Sequence, residues 1–248
     1  MSRQARQKSA TGYYHVIVRG AGKQLLFEES GDYRYFLFLL EKTCSATNVS
    51  VCAYCLMDNH AHLLLHDRAD DLPLFMKKLG VSYSGYFNKK YERVGHLFQD
   101  RYFSQAVEDD PYFLSVYKYI LLNPQKAGLC SAESYPWSSY KLYGNRSSFV
   151  DTSLLEEMLG SYERYEEFLS DGASPEHVRE HDGKRLDDET ASEVLKNTLG
   201  IESGSVIRSY DRHARDEAIR LLSRKGLSER QIERLTGISR KIIHQILW

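Results

Sequence analysis

The sequence predicts an α+β fold: a ferredoxin-like antiparallel sheet with packed helices, followed by an all-α domain of helix-turn-helix type. Three observations predict it. Residues 13–122 read in the order strand, helix, hairpin, helix, strand, helix, by alternation where strands fall and by helical period elsewhere. Asp58-Asn59 lies between two apolar runs as a two-residue hairpin turn. Residues 185–248 read as short amphipathic helices separated by Gly226 and by Thr236-Gly237-Ile238. At 248 residues the chain suits one large or two small domains, and 42% hydrophobic residues supply a real core. The domains are read as 1–143, a connector over 144–184, and 185–248.

The elements follow in order. Tyr13 to Val18 is a strand, and Asp32 to Ser45 is a helix rich in aromatic residues and Leu. Val49 to Met57 and His60 to His66 form the hairpin. Leu72 to about Tyr91 is a helix, and Tyr102 to Val107 is a short strand. The next helix starts at Asp110 with Pro111 in its first turn. Its apolar period runs through Phe113, Val116, Ile120 and Leu121 or Leu122. Pro124 is expected to close it, because it disfavours helical geometry at Asn123. The connector is turn-rich around Gly144 and Ser174, with one acidic helix near Leu154 to Leu169. In the last domain Arg215 to Arg224 is a basic helix. Ser228 caps a second helix in a capping box with Gln231, and Ile232 and Leu235 form its apolar face. Ser239 caps a third helix containing Ile242, Ile243 and Ile246. Arg240, Lys241, His244 and Gln245 are expected on its exposed part, within reach of a DNA groove or phosphates.

The net charge of -1 hides asymmetry. From Arg208 to Lys241 there are ten Lys or Arg against five Asp or Glu. A basic tail on a neutral chain fits a local nucleic-acid contact, not a wholly basic binder. Cys52 and Cys55 have C-x-x-C spacing, but strand alternation aims them at opposite faces, and no second pair exists to complete a zinc site. Free thiols without a secretion signal suggest a reducing cytoplasm. No apolar run approaches the ~18 residues of a membrane span.

The chemistry concentrates at His60-Ala61-His62. Residues two apart in a strand share a face, so the two imidazoles project together and suit one divalent metal ion. His66 shares that face but lies ~13 Å from His62 at ~3.3 Å per residue, too far to join them. Downstream, Tyr119 and Asn123 are four apart and would share one helix face, while Tyr117 points elsewhere. Most of the 18 tyrosines must be structural; Tyr119 stands out through Asn123.

Four segments in order resemble one family. Tyr14-His15-Val16-Ile17-Val18-Arg19-Gly20 resembles its first strand, and Met57-Asp58-Asn59-His60-Ala61-His62-Leu63-Leu64 its metal motif. Gly95-His96-Leu97-Phe98-Gln99-Asp100-Arg101-Tyr102 resembles a third motif. Tyr119-Ile120-Leu121-Leu122-Asn123-Pro124 with Ala127-Gly128-Leu129 resembles its nucleophile helix and exit. The family is the REP-associated tyrosine transposases, a branch of the single-tyrosine HUH (IS200-like) transposases, and the likeness covers about residues 10–143. It implies an HUH endonuclease core in which His60 and His62 hold Mg²⁺ or Mn²⁺. Asn123 would be a third ligand or would orient the phosphate, and Tyr119 would be the nucleophile. The implied partner is single-stranded hairpin DNA, cleaved and rejoined through a covalent 5′-phosphotyrosine with no small organic cofactor. Arg19, Lys23, Lys89, Lys90, Arg93 and Arg101 are the core's candidate phosphate contacts, and Tyr83, Tyr86 and Tyr91 candidates to stack on bases. The chain would be a monomer or a homodimer.

Two rival readings remain. A hairpin-DNA-binding protein that has lost catalysis would keep fold and tail without cleaving. An unrelated hydrolase using the H-x-H metal on a small molecule would form no covalent intermediate.

Overall fold

The computed structural model describes residues 8–146, 148–171, 178, 188–201, 203–225, 227 and 229–247. The chain divides into two compact units, Met1–Val178 and Arg179–Trp248.

In the first unit the expected order is present: β1 (Tyr13–Arg19), α1 (Ser30–Cys44), β2 (Val49–Met57), β3 (His60–Asp67), α2 (Leu72–Lys90), β4 (Phe103–Val107) and α3 (Asp110–Leu121). The sheet runs β2-β3-β1-β4 and all its pairings are antiparallel, as in a ferredoxin-like fold. Strand pleating sends alternate side chains to two cores. Tyr14, Val16 and Val18 of β1 and Ala61, Leu63 and Leu65 of β3 pack against Phe36 of α1 and Phe75, Leu79 and Tyr83 of α2. On the other side Leu64 of β3 and Val107 of β4 pack against Val116, Tyr117 and Ile120 of α3. His15, Ile17 and Arg19, with His60 and His62, therefore fall on the α3 side.

Cys52 and Cys55 are not on opposite faces. β2 shifts register between Val51 and Ala53, and a bulge reverses the alternation beyond it. Both cysteines enter the α3-side core as free thiols, their pKa values pushed up by burial.

Gly20, after β1, has no room for a side chain: a Cβ there would lie 2.0 Å from the Gln24 carbonyl oxygen. The chain turns at this point. The Gly20 amide donates to the Asn59 carbonyl and the Ala21 amide to that of Leu97, both at 2.9 Å. The Gln99 amide donates to the Arg19 carbonyl at 2.9 Å. The end of β1 is thus clamped between the β2–β3 turn and the Gly95–Tyr102 segment. That segment also walls a cavity of about 300 Å³ through Phe98, Arg101 and Tyr102, facing Met76 and Gly80 of α2.

Asp32 joins the two helices of the sheet's first face. Its buried carboxylate accepts from the Glu28 and Glu29 amides, from the Tyr86 and Tyr91 hydroxyls, and from Lys90. Burial alone would raise its pKa, but the bonds from Lys90 and Tyr91 and the two amides hold it below the ordinary carboxylate value. A carboxylate depressed in this way stabilises the fold above its unfolded pKa of ~3.9, and that contribution fades as pH falls through the folded value. Asp32→Ala is expected to cost about 3 kcal/mol at pH 7, because a buried charged partner is removed. Urea midpoints should show the difference, and it should shrink below about pH 4; a gap that persists unchanged in acid would rule out the charge as its source.

The stretch after α3 departs from the sequence reading. α3 ends at Leu121, and Leu122 (φ -84, ψ 1) leads into a short α4 (Asn123–Lys126) with Pro124 in its first turn. Pro lacks an amide N–H and is tolerated where a first turn needs none, so Pro124 opens a turn instead of closing the helix. Two helices, α5 (Ser153–Leu159) and α6 (Tyr162–Ser170), replace the one acidic helix expected over Leu154 to Leu169. They break at Gly160, whose φ of 80° suits glycine. Leu155, Tyr165 and Leu169 enter the α3-side core.

The second unit contains α7 (Asp188–Leu199), α8 (Arg212–Arg224), α9 (Glu229–Thr236) and α10 (Arg240–Leu247). Ala191, Leu195, Ile207, Ile219, Leu222, Ile232, Ile238 and Ile243 form its core. Asp211 caps α8 by accepting from the Ala214 amide at 2.9 Å. Between α9 and α10 the chain turns at Gly237 (φ 68). There the Thr236 hydroxyl donates to the Ile232 carbonyl and accepts from the Ile238 amide. The expected cap at Ser228 and the break at Gly226 lie outside the described residues.

Candidate functional site

β1 and β3 pair with Ile17 opposite His62 and Arg19 opposite His60. The pleat therefore gathers His15, Arg19, His60 and His62 on the sheet face that α3 covers. The ring centroids of His60 and His62 are 4.9 Å apart, with planes at 83°. Tyr119 comes down from α3 edge-on to both His62, at 5.4 Å between centroids, and His15, at 5.8 Å. Tyr119 and His62 are buried, and His60 is half-buried. Lys126 of α4 stands 4.8 Å over the Tyr119 ring.

Both imidazoles suit a metal ligand role. The Asn59 Oδ1 oxygen, 2.7 Å from His60 Nδ1, can only accept. His60 Nδ1 therefore carries the proton, and Nε2 carries the lone pair. His62 Nδ1 is engaged by His15 Nε2 at 3.1 Å, which turns its Nε2 to the site. Burial, then the neighbouring His15, His60 and Arg19, hold the His62 pKa well below its ordinary value. Burial lowers His15 to about 3. Both are neutral near pH 7, the state a metal ligand needs. Among the described residues no group of three His, Cys, Asp or Glu is arranged to hold a metal ion. The donor set is thus two imidazoles, leaving most positions of a divalent ion open.

Asn123 is buried at the start of α4. It does not ride on the same helix as Tyr119, because the break at Leu122 intervenes. His66 is stacked on Tyr13 at 4.1 Å and takes no part in the site. Tyr117 is fully buried in the α3-side core; burial, with Cys52 and Tyr143 next, raises its pKa.

The basic candidates scatter. Arg19 stands across the β1–β3 ladder from His60. Lys89 is exposed at the end of α2. Lys90 is held by Asp32 and Glu29. Arg93 bonds Gln24 and covers the Phe87 ring at 5.6 Å. Lys23 and Arg101 are exposed, the latter lining the cavity with Lys77. Tyr83 is wholly buried with its hydroxyl on the Leu26 carbonyl, so it cannot stack on a base as expected. The Tyr86 and Tyr91 hydroxyls are taken by Asp32. In the second unit Arg240, Lys241 and Gln245 are exposed on α10. His244 pairs with Glu229 at 3.0 Å.

Sequence reasoning missed His15 and Lys126. Alternation along Tyr13–Arg19 places His15 on the face of Arg19, a usable signal. Nothing in the sequence says which strand lies beside it.

Among the described residues no helix is long and apolar enough to cross a membrane. No curated protein matches the chain. A solved structure, that of the REP-associated tyrosine transposase bound to a REP hairpin, superposes with a TM-score of 0.51 at 16% identity. The match covers 59% of this chain and 87% of that one. At that identity the match shows a shared fold. The model of the family described as "Transposase IS200 like" matches residues 8–123, the stretch that holds β1, the histidine pair, Tyr119 and Asn123. Residues 8–123 of the first unit are therefore similar to the IS200-like transposases.

Proposed function

We propose that the protein is a divalent-metal-dependent single-stranded DNA endonuclease and strand transferase of the REP-associated type, cleaving and rejoining hairpin DNA through Tyr119. The observation that carries the reading is the Tyr119 ring set edge-on against His62, on the face where His60 and His62 converge. His60 and His62 would hold Mg²⁺ or Mn²⁺, with Asn123 as the candidate third ligand. Such an ion supplies Lewis-acid polarisation of the scissile phosphate.

The chain's own residues do the rest. Tyr119 Oη gives up its proton to solvent and attacks phosphorus; its P–O bond forms as the bond to the 3′ sugar oxygen breaks. The departing oxygen gains a proton and becomes a free 3′ hydroxyl, and the 5′ phosphate stays on tyrosine. Because the phosphotyrosine retains the diester energy, attack by a 3′ hydroxyl rejoins strands with no further energy source. Arg19, across the ladder from His60, would hold the phosphate, and the low-dielectric wall of α3 would strengthen that attraction.

Incubation with labelled single-stranded hairpins from DNA flanking the gene, with Mn²⁺, tests the class. A protein–DNA adduct surviving denaturation is expected. Binding without an adduct would favour the silent hairpin-binding alternative, and no binding the unrelated hydrolase.

The second unit would add a DNA contact of helix-turn-helix type, presenting Arg240, Lys241 and Gln245 from α10. Deleting residues 185–248 is expected to weaken hairpin binding and flatten its salt dependence, by about one unit of log–log slope for each phosphate that is no longer neutralised. If affinity and slope are both unchanged, α10 does not touch DNA.

A further inference from the structure

We propose that His15 is a positioning residue for the metal site, holding His62 in the tautomer whose Nε2 lone pair faces the ion, with Gln105 as its backing acceptor. The inference rests on the metal reading of His60 and His62.

His60 has its tautomer fixed by an acceptor-only oxygen of Asn59. His62 has no such partner. Its Nδ1 meets another imidazole, His15 Nε2, at 3.1 Å. That pair shares one proton and has two arrangements. In the first, His62 Nδ1–H donates to His15 Nε2, and His62 Nε2 is a ligand. In the second, His15 Nε2–H donates to His62 Nδ1. The His62 proton then sits on Nε2, and the ring cannot bind a cation. The choice passes to whatever meets the far nitrogen of His15.

On the β1–β4 ladder the residue directly opposite His15 is Gln105. Side chains opposite each other lie on the same face and within reach. His15 Nδ1 and Gln105 Oε1 are both buried, and neither has a hydrogen-bond partner. One is a donor in the first arrangement, and the other is an acceptor. Leaving both unsatisfied is unfavourable, so closing a His15 Nδ1–H to Gln105 Oε1 bond favours the first arrangement. In the second arrangement His15 Nδ1 would be an acceptor facing an acceptor. The order His62–His15–Gln105 thus does for His62 what Asn59 does for His60. A wholly buried His15 with α3 over it cannot reach substrate, so its action passes through His62.

The first test uses metal-free, full-length wild-type protein with ¹⁵N-labelled histidine. Long-range ¹H–¹⁵N spectra are expected to show His62 protonated at Nδ1, the signal being identified by its loss in His62→Gln. Protonation at Nε2 overturns the proposal, whatever the variants do. The second test is Mn²⁺ titration. His15→Phe, which fills the space but removes the acceptor, should weaken binding about 10-fold or more, the usual scale for a residue behind a ligand. His15→Gln, which offers a carboxamide oxygen near the Nε2 position, should recover most of the loss, and Gln105→Leu should weaken binding less than His15→Phe does. Unchanged Mn²⁺ affinity in a folded His15→Phe protein overturns the His15 role alone. If the wild-type protein binds no Mn²⁺, the metal reading itself falls and the proposal with it.

Discussion

Tyr119→Phe is expected to abolish both cleavage and the covalent adduct, a loss of more than about 10³-fold, while hairpin binding persists. The change removes one oxygen and keeps the ring. That ring is buried edge-on to His15 and His62 and lies under Lys126, and this packing survives in phenylalanine. Losing one hydroxyl costs about 1 kcal/mol of stability, too little to unfold the domain. A silent variant would therefore report chemistry. Two neighbouring tyrosines serve as controls. Tyr117 is buried in the core with Phe113, Cys52 and Tyr165, and Tyr112 sits in the first turn of α3. Tyr112→Phe and Tyr117→Phe should retain cleavage and adduct formation. Mass spectrometry of the trapped adduct should place the nucleotide on the peptide containing Tyr119; a different tyrosine would refute the assignment even if the class proved right.

The parts of this arrangement that are legible in the sequence are those written in local periods. H-x-H alternation puts both imidazoles on one face, and the Asp58-Asn59 turn fixes which residues start β3. The order of strands and helices follows from the same signals, because each element's buried face repeats within a few residues. What escapes depends on partners distant in sequence or on single-residue defects. His15 meets His62 across 47 positions, and only the β1–β3 register brings them together. The bulge at Val51–Ala53 reverses the alternation beyond it and turns Cys55 to the face of Cys52. Pro124 reads as a stop because it disfavours helix before it, yet it sits as readily in a new first turn. That one ambiguity moves Asn123 onto α4 and hides Lys126. Tyr83, Tyr86 and Tyr91 look like stacking candidates because their exposure cannot be read from type alone. Their hydroxyls are committed to Leu26 and Asp32.

His60→Ala should abolish cleavage, EDTA should mimic it, and hairpin binding and thermal stability should stay close to those of wild type. The stability half of this expectation separates the two histidines. His60 is half-buried, and its Nδ1 bonds the adjacent Asn59 side chain. Truncating it opens little cavity. His62 is buried at 1% exposure, engages His15 and packs against Tyr119. His62→Ala removes a core side chain and strips His15 of its partner, so it should cost an additional ~2–3 kcal/mol while also abolishing cleavage. The combination matters for interpretation. A His62 variant that lost activity could be dismissed as misfolded, whereas inactive, stable His60→Ala could not. If Mn²⁺ serves the site, its addition should raise the melting temperature of wild type by binding only the folded state, and His60→Ala should lose that rise. Cleavage that continues undiminished in EDTA, or in folded His60→Ala, would leave Tyr119 without a metal partner and sink the two-histidine mechanism.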